Sequence, residues 1–463
     1  MKDFKNYTSV FSWRYGSDEM RKIWSEENKY RIWRKVWVEL ARAQSKMGLV
    51  SKEELEDLEK NQENLDIERI WEIEKDTRHD VVAAIKEFAE KAPIGGGKIH
   101  LGATSMDISD NAETIRISES LEIFEKEVIN LLKSFGEKIE KYSEFVCMGY
   151  THLQAAEPTT LGYRFAFYAQ DLLLDLELLQ FVKKNLKAKG MKGAVGTSAS
   201  YVKLLDLQKA EKMEDMVMEK LGIESVEIAN QTYPRKIDLF VSNLLASIAQ
   251  SLNKFAFDLR IMQSSGFGEW AEPFGEKQVG SSAMPFKKNP IKSEQICSLA
   301  RLVVSLSRIP WDNASNMLLE RTLDDSANRR VVLPEMFLSL DEMLISATNI
   351  VDGLTINDKR ITMNINTYWP FSATEGILIE TVKLGANRQK MHEVLREISM
   401  KAWEAIQEGE VNPMEDLLTS NSEIGKYLNS TEILKLLDAK NHIGNAKNKA
   451  LTIVKEIDNL KYS

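Results

Sequence analysis

Residues 280–290 read Gly-Ser-Ser-Ala-Met-Pro-Phe-Lys-Lys-Asn-Pro, which gathers hydroxyl, ammonium and amide groups in one short stretch. Glycine lets a backbone approach a ligand closely, Ser281 and Ser282 offer hydroxyls and N–H donors, and Lys287 and Asn289 can hold a carboxylate. By composition alone the same stretch is a polar surface turn. His152, in the run Thr-His-Leu-Gln, brings the side chain best suited to moving protons near neutral pH, and the same residue type also serves as a helix cap or in a core. Arg78, His79 and Asp80 form a charged triplet ahead of the apolar run 81–85, a pattern common in solvated helix starts. Thr104, Ser105 and Asp107 read as a second helix start, and helix N-termini both need capping side chains and attract anions.

Groups so far apart in the chain need a rigid frame to meet, and the frame reads as helical. Glycine (23) and proline (10) are scarce among 463 residues and cluster between long segments. Across 236–263, Ile237, Val241, Leu244, Ile248, Leu252, Phe255, Leu259 and Met262 recur at steps of three and four, the signature of one long helix. A second is expected to begin at Pro158, a residue suited to the first helical turn, and to run through Phe165, Leu172, Leu176 and Leu179 until Gly190. A third covers 112–142. The residues before 111 read as shorter helices, one opening at Ser51 with Glu54 in a capping-box pattern. Breaks near Gly385, Gly409 and Gly425 mark another set of short helices toward the C-terminus.

The expected fold is therefore all-α, with an N-terminal domain 1–110, a central long-helix bundle 111–355 and a C-terminal domain 356–463. One segment, 264–290, interrupts the helical pattern with four glycines and three prolines. It is longer than the roughly 12–15 residues that structureless loops usually reach, and such loops are commonly functional. Long helices packed side by side leave apolar stripes that pair between subunits, so a homo-oligomer is expected.

Composition narrows the ligand. Hydrophobic residues at 43% and charged residues at 28% describe an ordinary folded protein. A formal net charge of -9 repels nucleic-acid backbones and anionic membranes, so neither is an expected partner. An anionic small-molecule substrate would then need arginine, lysine and histidine gathered locally. The two cysteines, Cys147 and Cys297, fit no zinc or redox spacing and are in keeping with a cytoplasmic protein. No stretch has the length and apolarity of a signal peptide or membrane span.

GSSAMPFKKNP resembles the signature loop of the fumarase/aspartase superfamily, whose members release fumarate from substituted succinates. RYGSDEM, TRHDVVA, HLGATSMD, GYTHLQAAEPTT and ERTLDDSANRR are similar, in this order along residues 14–335, to the adenylosuccinate lyase family within it. The resemblance implies a three-domain helical fold and a tetramer whose sites are each built from three subunits. It also implies elimination of fumarate from adenylosuccinate, giving AMP, and from succinylaminoimidazole carboxamide ribotide, giving its carboxamide product. A complete acid–base set beside the lack of any metal-ligand spacing leads us to expect no metal and no organic cofactor.

The same resemblance assigns residues. Ser281 is the base, with Ser282 the neighbouring alternative, and His152 is the acid, held by Glu294. A serine hydroxyl is a weak base, so the role requires an alkoxide stabilised by Lys287 and loop N–H groups. Arg78, His79, Asp80, Gln231 and Asn289 are implied substrate contacts, with acid catalysis the alternative role for His79, and Thr104 with Ser105 holds a succinyl carboxylate. The phosphate is assigned to Arg14, Tyr15, Arg321, Ser326 and Arg330, since arginine forks bind phosphate oxygens in pairs. Gln295 departs from the pattern, standing where some relatives carry an arginine. The other readings are an argininosuccinate-cleaving relative, against which ERTLDDSANRR and the RHD triplet argue, and a non-catalytic helical scaffold, which need keep none of these residues.

Overall fold

The computed structural model describes residues 5–275 and 277–460, so the outermost residues of the first and third expected domains, and Glu276 of the 264–290 loop, lie outside it. Regular structure is overwhelmingly helical. The longest helices are Ser105–Lys141, Leu161–Asn185, Lys236–Met262 and Ser326–Asp352, with Ile291–Leu306 following the loop. Among the described residues only two small antiparallel sheets occur, Val146–Thr151 with Gln154–Thr160 and Trp270–Ala271 with Thr355–Ile356.

The helix read from the 236–263 period is present almost residue for residue. The expected capping box is also present, with Ser51 N–H donating to Glu54 at 2.7 Å and Glu54 N–H donating to the Ser51 hydroxyl at 3.2 Å. The helix expected from Pro158 is corrected. Pro158 lies instead in the strand Gln154–Thr160, opposite Met148, and the helix opens at Leu161 and ends at Asn185, before Gly190. The Thr160 hydroxyl accepts from Tyr163 N–H at 3.2 Å and caps the helix at its actual start. A proline is tolerated there because each strand of a two-stranded sheet is an edge.

The helix expected at 112–142 starts earlier, at Ser105. Thr104 N–H donates to the Asp107 carboxylate at 3.0 Å, while the Thr104 carbonyl accepts the Asp107 N–H at 2.9 Å. That closed start supports an extra two turns.

The chain divides into two compact units, Met1–Val128 with Leu174–Leu252 and Ser298–Ile345, and Ile129–Leu173 with Asn253–Cys297 and Ser346–Ser463. In the first, Tyr30, Trp33, Trp37 and Leu40 of the helix Glu26–Lys46 pack against Phe88, Ile108, Tyr201 and Met213. Such apolar burial contributes about 25 cal/mol per Å² and dominates the stability of each unit. The Trp37 indole donates to His100 at 3.1 Å, and burial depresses that imidazole to about 4, so His100 belongs to this core as a neutral ring. In the second unit Phe135, Phe165, Phe255 and Trp270 form an aromatic cluster, and Ile377, Met391, Leu395 and Met414 form a separate core. No helix among the described residues is long and apolar enough to cross a membrane.

Candidate active site

In the second unit the two ends of the loop are tied together through Gln263 and Glu272. Gln263 donates its amide to the Lys288 carbonyl at 2.9 Å and accepts from Glu272 N–H at 3.0 Å. The buried Glu272 carboxylate then accepts Lys292 N–H, Ser293 N–H and the Ser293 hydroxyl at 3.2, 3.0 and 2.9 Å, capping the helix that carries Glu294. An anion at a helix N-terminus is stabilised by the exposed N–H groups and the helix dipole, and here a side chain of the chain itself fills that place.

Ser281 sits where the loop turns. Its Oγ accepts from Ala283 N–H at 3.3 Å and Met284 N–H at 3.1 Å. Two backbone donors aimed at a hydroxyl oxygen favour its negatively charged form, which a serine base requires. Asn289 donates to the Gly280 carbonyl at 2.7 Å and closes the turn. Gly280 has no room for a side chain, because a Cβ there would stand 2.1 Å from the Lys287 carbonyl oxygen. Lys287 and Ser282 are exposed on this loop.

His152 occupies the tip of the hairpin Val146–Thr151/Gln154–Thr160. Its φ of 55° and that of Leu153, 61°, make a two-residue turn of the type that matches strand twist. The imidazole is exposed and, among the described residues, has no hydrogen-bond partner within the chain. Glu294 is exposed in the first turn of Ile291–Leu306, and no bond joins its carboxylate to His152. One chain therefore does not join His152, Glu294 and Ser281 by hydrogen bonds.

In the first unit the anion-binding candidates fall into four groups. Arg14 is exposed between the Trp13 and Tyr15 rings, 5.7 Å from each centroid. Arg78 ends a helix in the left-handed region, His79 caps Asp80–Lys91, and Asp80 pairs with Arg330 at 2.7 Å. Gln231 is held through its N–H to the Glu320 carbonyl at 3.1 Å, beside Arg321, which pairs with Asp325 at 2.8 Å just ahead of Ser326. Thr104 and Ser105 open the Ser105–Lys141 helix over the buried Asp107.

Sequence reasoning missed the buried charges behind these groups. Arg235 bonds Asp325 at 2.6 Å and Asp110 at 3.1 Å, and Arg329 bonds Asp238 at 2.7 Å. Of the neighbouring Arg329 and Arg330, the first turns inward and the second faces solvent. Arg329 lies within the run ERTLDDSANRR and Asp110 just beyond HLGATSMD, yet spacing alone does not say which side chains point inward. Arg330→Ala removes one charged donor set and leaves its buried neighbours in place. We expect KM to rise about tenfold to a hundredfold, as for loss of a charged hydrogen bond, with kcat within a few-fold. Steady-state kinetics on the purified variant checks this.

Residues 13–305 match the family described as "Lyase", and residues 370–450 match "Adenylosuccinate lyase C-terminus". The adenylosuccinate lyase of Methanocaldococcus jannaschii is 39% identical over 97% of this chain and 96% of its own. That of Schistosoma mansoni is 40% identical over 87% of this chain and 85% of its own. Among solved structures, the 3-carboxy-cis,cis-muconate lactonizing enzyme of Pseudomonas putida superposes with a TM-score of 0.86 over 97% of this chain and 99% of that one, at 22% identity, a likeness of fold alone. Likeness at this level along nearly the whole length settles kinship: the chain belongs to the adenylosuccinate lyase family.

Proposed function

We propose that this protein eliminates fumarate from adenylosuccinate, releasing AMP, and from the succinylated aminoimidazole carboxamide ribotide of de novo purine synthesis. The likeness to adenylosuccinate lyases along 97% of the chain carries the reading. Ser281 Oγ takes the proton from the carbon beside a succinyl carboxylate, and the electron pair passes into that carboxylate. The pair returns to form the fumarate double bond as the carbon–nitrogen bond breaks, and His152 protonates the departing nitrogen. Lys287, Asn289, Thr104 and Ser105 hold the carboxylates, while Arg14, Tyr15, Arg321, Ser326 and Arg330 hold the phosphate. Arg78, His79, Asp80 and Gln231 complete the substrate contacts. Acid, base and countercharges all come from side chains, so neither metal nor organic cofactor has a step to perform.

The working form is a cytoplasmic homotetramer in which three chains complete each site, each chain comprising the domains 1–110, 111–355 and 356–463. Two observations support the oligomer. No hydrogen bond joins the acid and base groups within one chain, and Tyr163, Phe167, Leu174 and Phe181 of Leu161–Asn185 stand 39, 51, 58 and 52% exposed along one helix. Apolar residues so placed fit the face of a second copy better than water. Absorbance assays with both substrates in the presence of a chelator test the activity, with argininosuccinate as the compound that should stay intact. Glu294→Gln is expected to lower kcat by misplacing the His152 proton while leaving KM nearly unchanged. Wild-type turnover by that variant would show that another group orients His152.

A further inference from the structure

Glu269 takes no part in the chemistry above, yet its buried carboxylate touches the supports of both reacting groups. It is fully buried at the start of the loop that carries Ser281. Its Oε1 accepts from the Tyr150 hydroxyl at 2.7 Å and from the Asn364 amide at 2.9 Å, and its Oε2 faces Arg164 at 3.4 Å. Tyr150 lies in the strand that leads to His152. Arg164 donates in turn to the Met148 carbonyl of the same strand at 2.6 Å. On the loop side, Arg360 donates to the Phe267 and Gly266 carbonyls at 2.8 and 2.7 Å, and the Phe267 ring stands edge-on to Tyr150 at 4.9 Å.

A buried carboxylate is costly unless several donors compensate it, and here the donors come from three separate parts of the chain. A two-stranded hairpin is marginal by itself, so the position of His152 at its tip depends on what the strands are tied to. Burial and the Glu269 charge push the Tyr150 phenol far above its ordinary range, so it remains a neutral donor to the carboxylate. We propose that Glu269 is a positioning residue that fixes the His152 hairpin against the root of the Ser281 loop, so that one buried carboxylate sets the placement of both acid and base. The proposal rests on His152 being the acid.

The test uses the full-length protein with Glu269→Gln, Tyr150→Phe, His152→Gln and the Tyr150→Phe/His152→Gln double variant, reading kcat, KM and the thermal midpoint of each. Misplacement of a catalytic group by about 1 Å costs up to about a hundredfold, so Glu269→Gln should lose about tenfold to a hundredfold in kcat with KM little changed. Tyr150→Phe cuts only the link to the hairpin and keeps the Arg164 pairing, so it should fold with a near-wild-type midpoint and lose a few-fold in kcat. In the His152→Gln background the same Tyr150→Phe change should cost nothing more, because its effect passes through His152. Should Glu269→Gln fail to fold, the Tyr150→Phe pair decides alone. Wild-type kcat for Tyr150→Phe beside an impaired His152→Gln overturns the proposal, as does an undiminished Tyr150→Phe effect in the double variant. Full activity of His152→Gln overturns the acid assignment and the proposal with it.

Discussion

Ser281→Ala is expected to bind substrate almost normally and to lose about 10²–10⁴ in the single-turnover rate, the usual cost of removing a general base. Binding survives because the carboxylate and phosphate contacts assigned above involve other residues. The chemical step does not, because the Ala283 and Met284 N–H groups then face a methyl group in place of an oxygen that can take the proton. Ser282→Ala should be much milder, since among the described residues its hydroxyl is exposed and receives neither donor. Substrate affinity by calorimetry beside rapid-mixing turnover separates the two effects. An active Ser281→Ala with an inactive Ser282→Ala would move the base by one residue.

The contrast between these two serines also shows what a sequence can and cannot convey. The loop was legible because glycine and proline interrupt long helical periods, and the helix Lys236–Met262 was legible because eight apolar residues repeat on one face. The hairpin that carries His152 was not. Its strands mix Cys147, Gly149, Gln154 and Pro158 without clean alternation, and its turn is made by His152 and Leu153 in place of the Asn-Gly type that signals such turns. The partners of Glu269, Asp110 and Asp107 were equally hidden, because each meets residues far away in the chain and no local period reports a long-range bond.

Asp107→Ala is expected to cost about 3–5 kcal/mol of stability, the range for breaking a buried ion pair from one side. The Asp107 carboxylate pairs with the Lys189 ammonium, and both side chains are fully buried. It also accepts Gly193 N–H at 3.1 Å, the Tyr201 hydroxyl at 3.1 Å and Thr104 N–H at 3.0 Å. Without it Lys189 is left as an uncompensated charge, and the Thr104–Ser105 turn loses its anchor. Denaturant unfolding should show the loss, and the surviving folded fraction should show a raised KM because that turn is assigned a succinyl carboxylate. Replacing both partners with apolar residues, Asp107→Leu with Lys189→Met, should recover part of the stability but not the KM. Wild-type stability for Asp107→Ala would mean that the pair is not holding this region together.

If Ser281 of one copy and His152 of another jointly release fumarate from adenylosuccinate, neither residue can be lost from every copy without loss of turnover. The direct measurement follows AMP and fumarate from adenylosuccinate with wild-type protein, with Ser281→Ala, with His152→Gln, and with the two variants mixed and allowed to exchange subunits. The expected result is equimolar AMP and fumarate from the wild type, little from either variant alone, and recovery of part of the wild-type rate on mixing, because some sites regain both intact residues. Absence of products from the wild type, or full rates from both separate variants, would contradict it.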